Sequence, residues 1–435
     1  MPDAKKILII GGGFTGLTAA FRLAQTGNDT ITLVEKAGRL GGLAAGFPLA
    51  GTSLEKTYHY LFTTDDDIIR LVHELGLEDR LFWSDTSNAI YLNGRLHPFT
   101  TPLDVLRFSP CRLVDRLRLG FLILHLQKRK NWRPFLKTTA LAWVKKSGGS
   151  AVAAIWEPLL KGKFGRHYDA VSMAWLWARI HSRANSRRHG REQLGYFRGG
   201  FESVTRALES GLRRRGVKIQ TGVAVEKFLP AERAAVCNGE TVPFDFCLFT
   251  GPSAAFAKLL PAQDSLNEYA ARLRSIEYLG AICLVFTSPQ NLGDYYWVNV
   301  NEPGAPFLVF INHTRLVGAN LYGGQHVYYI GAYLPPDGKL FSLPDDGLAK
   351  LWFGYLPKMF PDFDAARVAE RHVFRFPAAQ HIVDTEYEAK IPACQTPLPG
   401  VFLANFSQIF PEDRGTNFAV REGEKIAALI RRAAA

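Results

Sequence analysis

Residues 6 to 10, KILII, form a short unbroken apolar run, the pattern of a strand buried on both faces of a parallel sheet. A glycine-rich turn follows. The next segment, LTAAFRLAQTG, carries apolar residues at helical spacing and is closed by Gly27 and Asn28. TITLVE (30–35) predicts a second strand, and near the C-terminus GVFLA predicts another, with a helix from about Thr416. Residues 65 to 195 read as mostly helical. Residues 276 to 335 contain AICLVF, DYYWVNV, FLVFIN and HVYYIGAYL, which predict sheet strands rich in β-formers. Within the helical stretch, Leu113, Leu117, Phe121 and Leu124 fall along one helical face. No internal repeat or low-complexity linker interrupts this pattern.

The turn after the first strand holds the first chemistry. Gly11, Gly13 and Gly16 have G-x-G-x-x-G spacing, with Phe14 and Thr15 between the last two. Gly11 permits a tight turn, Gly13 lets a pyrophosphate approach the backbone, and Gly16 allows close packing of helix on strand. The phosphates then sit on the helix N-terminus, where unpaired N–H groups and the dipole favour an anion. Glu35 closes the second strand where an acid should accept from a ribose 2′-OH. A carboxylate there repels a 2′-phosphate, which argues against NADP. Strand, loop, helix, strand and acid together predict an α/β dinucleotide-binding fold.

Arg39, Gly41 and Gly42 follow the acid, flanked by Lys36 and Leu43. This Glu-x₃-Arg-x-Gly-Gly extension resembles the two-dinucleotide-fold flavoprotein superfamily, which implies FAD as cofactor. The closest look-alikes are the amine oxidase, protoporphyrinogen oxidase and carotenoid or squalene desaturase group. UDP-galactopyranose mutase is a more distant relation. YHYLF, WEPLL, AWLWARI, DYYW and SQIFPEDRG resemble a bacterial subgroup of largely unassigned FAD oxidoreductases. The resemblance implies that the C-terminal helix points at the flavin edge, with Gly415, Thr416, Asn417 and Gly423 matching and Arg414 adding a fixed positive charge. It also implies cofactor contacts at Val225, beside the adenine, and at Gly251 in DFCLFTGP. Where the family has Gly-Asp this chain has Asn405-Phe406, so Asn405 is a substituted contact.

The implied fold class is α/β: a discontinuous, Rossmann-like two-dinucleotide-binding FAD domain (1–58, 196–262 and 386–435) and an α+β substrate domain. The latter comprises 59–195, mostly helical, and 263–385, mostly sheet.

Composition narrows the setting. The 435 residues are 47% hydrophobic and 21% charged, as in ordinary globular proteins. No apolar run approaches the roughly 20 residues needed to cross a bilayer. The N-terminus lacks the pattern of a signal peptide. Five scattered cysteines without a CxxC pair suit neither a disulfide framework nor a zinc site, so a cytoplasmic protein without metal is expected. The net charge of +12 suits an anionic partner. No nucleic-acid-binding signature accompanies it, so nucleic acid is not expected. G-x-S-x-G, P-loop and HExxH motifs are missing too.

Candidates for the substrate side are less sharply drawn. His59, in TYHYLF, would tune the flavin or shuttle a proton, or else be a structural histidine. With Arg414 it is the expected catalytic pair. Trp156, Glu157, Trp175, Trp177, Tyr295, Tyr296 and Trp297 offer aromatic walls, Tyr296 and Trp297 foremost, or simply core; Glu157 caps a turn in the plainer reading. Between Arg107 and Arg133 stand eight Lys or Arg and one acid, Asp115. This tract reads as an interfacial helix on the inner face of a membrane or, preferably, as a helix packed on the flavin domain with its arginines in water. The tract at 179–191 reads as a solvated loop or as a phosphate clamp built from Arg183, Arg187 and Arg188.

Two activities are expected in consequence. One is FAD-dependent hydride removal from an amphipathic substrate, prenyl or lipid-linked. The alternative is a non-redox mutase acting on a sugar nucleotide, which needs the arginine clamp. A flavin-binding protein with a scaffolding role is the third possibility, and predicts a flavin site closed to substrate.

Overall fold

The computed structural model describes residues 4–188 and 190–434. Its first strand, Lys6–Ile10, occupies the middle of a five-stranded parallel sheet. Thr30–Glu35 and then Lys218–Thr221 lie on one side, and Phe246–Phe249 and then Val401–Leu403 on the other. Burial on both faces explains the unbroken apolar run, because a parallel sheet has no solvated side. Neighbouring strands come from widely separated parts of the chain, so this unit is assembled from discontinuous segments.

Helix Phe14–Leu23 covers the sheet and packs against the C-terminal helix Thr416–Ala434. Their approach is close because Gly423 has no side chain: a Cβ there would stand 2.7 Å from the Thr15 carbonyl oxygen.

A second sheet has seven strands in the order Glu370–His381, Tyr278–Ser288, His326–Leu334, Val309–Asn312, Trp297–Val300, Asn88–Leu92, Arg95–Pro98. All neighbours are antiparallel except Trp297–Val300 and Asn88–Leu92. The four expected strand segments of 276–335 all lie in it. The two strands from 88–98 depart from the expected helical reading of 65–195, as do Leu81–Asp85 and Gln193–Phe197, which pair with each other.

Helices Leu113–Lys128, Ala140–Gly148, Ser150–Phe164 and Met173–Asn185 form a helical layer beside this sheet. Within the layer, helix Leu113–Lys128 packs on the other three helices through Leu119, Leu122 and Leu126. The preferred expectation, that Leu113, Leu117, Phe121 and Leu124 face the flavin domain, is therefore overturned: all four side chains are exposed.

Candidate active site

A cavity of about 1120 Å³ lies at the carboxyl ends of the parallel strands, lined there by Ile10, Val34, Glu35 and Phe249. Its far wall comes from the seven-stranded sheet, through Cys283, Trp297, Val309 and Tyr333. Single-ligand pockets span roughly 300–1,000 Å³, so there is room here for more than one small molecule. Carboxyl strand ends are where ligands bind in open α/β sheets.

One part of the cavity is made of backbone. Gly11 adopts φ +112°, and a Cβ there would stand 2.2 Å from Thr250 Oγ1. A Cβ on Gly16 would stand 2.0 Å from the Gly11 carbonyl oxygen, so this glycine brings helix and strand together without lining the cavity. The Gly41 N–H donates to the Gly12 carbonyl at 2.8 Å, which stacks the second glycine pair on the first. No side chain caps helix Phe14–Leu23, whose start (Gly13, Phe14, Thr15) opens directly onto the cavity. Uncapped N–H groups in a glycine cradle suit a pyrophosphate.

Glu35 Oε2 accepts from the Gly12 N–H and Oε1 from the Ala37 N–H, both at 2.7 Å. Each oxygen keeps a second acceptor site, so a ribose hydroxyl can still be bound. Lys36, Gly41, Gly42, Leu43, Val225, Gly251, Gly415, Thr416 and Asn417 also line the cavity. Asn417 Oδ1 is already engaged by the N–H groups of Asp67 and Ile68, which makes it a helix cap as well.

Besides Gly16, two expected cofactor contacts lie elsewhere. The Arg39 side chain is exposed in a shallow cleft with Glu202 and Arg206, outside the cavity. Asn405 is buried, donating to the Gly251 carbonyl at 2.9 Å and accepting from the Ser407 N–H. It braces the loop from behind and does not line the cavity.

The other part of the cavity is made of side chains from distant segments. Asp413 Oδ2 accepts from Lys163 Nζ at 2.8 Å and from Arg179 at 3.1 Å, and Arg414 stands 3.8 Å from its other oxygen. Arg414 also donates to Tyr333 Oη at 2.9 Å and to Gln380 Oε1 at 2.5 Å. Burial raises the Asp413 pKa, but Lys163, Arg179 and Arg414 outweigh it and hold the carboxyl well below its ordinary range. Burial likewise pushes the Tyr333 phenol up, and Arg414 and Lys163 reverse this, leaving it below its ordinary value. Three cations thus surround one carboxylate, and the cluster carries excess positive charge. Tyr58, Tyr60, Trp177 and Trp297 provide aromatic wall in the same cavity.

Sequence reasoning missed Lys163, Asp413 and Tyr333, and met Arg179 only as the first arginine of the 179–191 tract. Lys163 left one trace: it stands three residues after Leu160 and seven after Trp156, on the apolar stripe of its helix.

His59 lines the cavity, and its Nδ1 lies 2.7 Å from the Thr57 carbonyl oxygen. A carbonyl only accepts, so Nδ1 carries the proton and Nε2 is left as an acceptor. Burial lowers the imidazole to about 4, which keeps the ring neutral near pH 7. Arg183 reaches the cavity but is tied to Glu192 at 2.5 Å and to Asn88 at 3.0 Å.

The expected clamp does not form. Arg187 donates to the Thr100 carbonyl away from the cavity, and Arg188 is exposed over the Trp83 ring. Tyr296 is core, not cavity wall, as is Trp175. Glu157 pairs with Lys161 at 2.6 Å rather than capping a turn.

The family model described as "Flavin containing amine oxidoreductase" matches residues 14–429. The chain belongs to this family. Membership places it among the FAD-dependent oxidoreductases, and FAD is its cofactor. When bound, FAD supplies the acceptor for a hydride. The glycine cradle, the uncapped helix start and Glu35 are the residues that would hold it.

Among similar proteins, the coproporphyrinogen III oxidase of Staphylococcus aureus is 23% identical over 301 residues, 61% of this chain and 64% of that protein. That of Mycobacterium tuberculosis (strain ATCC 25618 / H37Rv) is 32% identical over 165 residues, 36% of each chain. The chain thus covers less than two thirds of the length of these curated relatives. The structure of a putative protoporphyrinogen oxidase from Exiguobacterium sp. 255-15 superposes with TM-score 0.78 at 18% identity over 100% of both chains. Reduced UDP-galactopyranose mutase gives 0.75 at 15%, covering 98% of this chain and 96% of that one. At these identities the solved structures establish the fold.

Proposed function

We propose that this flavoprotein takes a hydride from an amphipathic substrate that carries a carboxylate or phosphate. The apolar body would lie along Tyr58, Tyr60, Trp177 and Trp297, with the anion toward Lys163, Arg179 and Arg414. The observation that carries this reading is the excess positive charge around Asp413 in an aromatic-walled cavity. A cationic amine entering it would meet like charges in a partly desolvated site, where repulsion is least screened. The substrate class therefore differs from the amine in the family's description and suits prenyl or other lipid-linked anions. Coproporphyrinogen III, named in several relatives, belongs in the same trial. The sugar-nucleotide mutase reading loses its motivation, since Arg187 and Arg188 face away from the cavity and Arg183 is committed to Glu192.

The test is anaerobic mixing of the oxidised holoprotein with coproporphyrinogen III, a prenyl phosphate and its alcohol, and putrescine, following loss of oxidised-flavin absorbance. Reduction by an anionic amphipath, and not by putrescine, is the expected result. Reduction by putrescine alone would falsify the reading.

A further inference from the structure

Among the described residues, seven of the nine large apolar side chains that stand exposed lie between Leu103 and Leu124. Leu103 and Leu106 belong to helix Pro102–Arg107, and Leu113, Val114, Leu117, Phe121 and Leu124 to helix Leu113–Lys128. Exposure runs from 42% at Leu106 to 74% at Phe121. At 3.6 residues per turn the five residues of the longer helix fall within an arc of about 100°. Its buried residues Leu119, Leu122 and Leu126 lie on the opposite side. The helix is apolar on two faces, and only one has a partner. The two helices are adjacent, joined where Arg116 donates to the carbonyls of Cys111 and Leu106.

We propose that this outer face docks on an anionic lipid bilayer. The face is bordered by exposed cations, Arg107, Arg112, Arg118, Lys128 and Lys130, while Asp115, the acid of the longer helix, is buried and engaged by Arg118. Apolar side chains enter the acyl boundary while basic residues meet anionic headgroups, the arrangement of an interfacial helix. A second copy of this chain is the poorer occupant, because a self-complementary interface would bring these cations against their own counterparts. No helix of the described residues is long and apolar enough to cross a membrane, so the contact is peripheral.

The inner face of the docking helix packs on helix Met173–Asn185, and the two are linked by Trp177 Nε1 donating to the Arg129 carbonyl at 3.0 Å. Trp132, Trp177 and His181 line the cavity, one helical layer behind the docking face. A lipid-borne anion would then reach the cationic cluster from the bilayer side.

The test is flotation of the full-length holoprotein with phosphatidylglycerol vesicles and with phosphatidylcholine vesicles. Binding to the anionic vesicles alone is expected. Leu117→Asp with Phe121→Asp should weaken it by on the order of a hundredfold, and Arg112→Glu with Lys128→Glu by about tenfold. FAD content and Tm should stay unchanged, since all four side chains are exposed. No binding to anionic vesicles, or binding indifferent to the aspartates, overturns the proposal. So does a dimer in light scattering that Phe121→Asp dissolves. Vesicle binding is read without turnover, so its failure and a failure of the substrate reading are separate results.

Discussion

The glycine cradle and the cationic cluster share one cavity and are built on opposite principles. The cradle is backbone: Gly11, Gly13, Gly41 and Gly42 work by having no side chain, and their spacing along the chain is the site. The cluster is side chain: Lys163, Arg179, Tyr333 and Asp413 come from two helices, a strand end and the segment before the last helix. In the cradle a methyl group is too much, because Gly11 leaves 2.2 Å for it, and Gly16, which packs the helix against Gly11 from behind, leaves 2.0 Å. The cluster depends instead on charge balance, which substitution can shift by degrees. A site made of absent atoms tolerates little change, and one made of paired charges can be tuned.

The largest expected effect breaks the cradle. Gly16→Val should cost about 3 kcal/mol or more through overpacking and yield protein without FAD. The ratio of flavin to protein absorbance after purification reads this directly, and a variant with full FAD content would refute the packing argument.

Next comes pH, where two carboxyl groups behave oppositely. Glu55 is buried, accepting from Tyr196 Oη at 2.5 Å and the Phe201 N–H at 2.6 Å. Burial raises its pKa from 4.5 to about 7. A raised folded-state pKa contributes stability below 4.5 that is lost as pH rises through about 7. Asp413 is depressed, so its contribution is present above its ordinary 3.8 and lost as pH falls. Tm should therefore decline on both sides. Glu55→Gln should make the limb between about pH 4.5 and 7 shallower by on the order of 3 kcal/mol, the rest coming from Asp65, which burial raises from 3.8 to about 7, and leave the acid limb in place. An unchanged upper limb in thermal melts would remove Glu55 as its cause.

The smallest effect tunes the cluster. Lys163→Met keeps the length and apolar contacts of the side chain but removes one charge. KM for an anionic substrate should rise about tenfold, with FAD content unchanged and Arg187→Ala serving as a neutral control. Steady-state kinetics on the holoproteins decides it. Equal KM in both variants would detach Lys163 from substrate binding.

The same contrast explains what was legible in the sequence. The first strand, its glycines and Glu35 form a contiguous local pattern, and the parallel sheet follows from runs buried on both faces. The strand Asn88–Leu92 was not legible, since its parallel partner Trp297–Val300 lies some two hundred residues away. Neighbouring arginines at 183, 187 and 188 look equivalent in one tract, yet their side chains part toward Glu192, Thr100 and Trp83. Only tertiary packing separates them. The outer face of helix Leu113–Lys128 was visible as a stripe, but helical spacing alone cannot say whether a stripe is covered. Asn405 and Arg39 were inherited from a resemblance, which transfers positions more safely than contacts.

One short segment crosses the divide. Glu412 to Asn417 hold Asp413 and Arg414 in the cluster and Gly415, Thr416 and Asn417 at the start of the helix that faces the cradle. Under the proposed function, contact with substrate and grip on the cofactor are written in the same few codons, and a lineage seeking a new substrate has little freedom there. Its freedom lies in helices Ser150–Phe164 and Met173–Asn185, which touch the cavity without supporting the cradle. A library that randomised only the cavity-facing positions of those two helices, and left their buried core and 412–417 fixed, would explore new specificities while keeping its flavin.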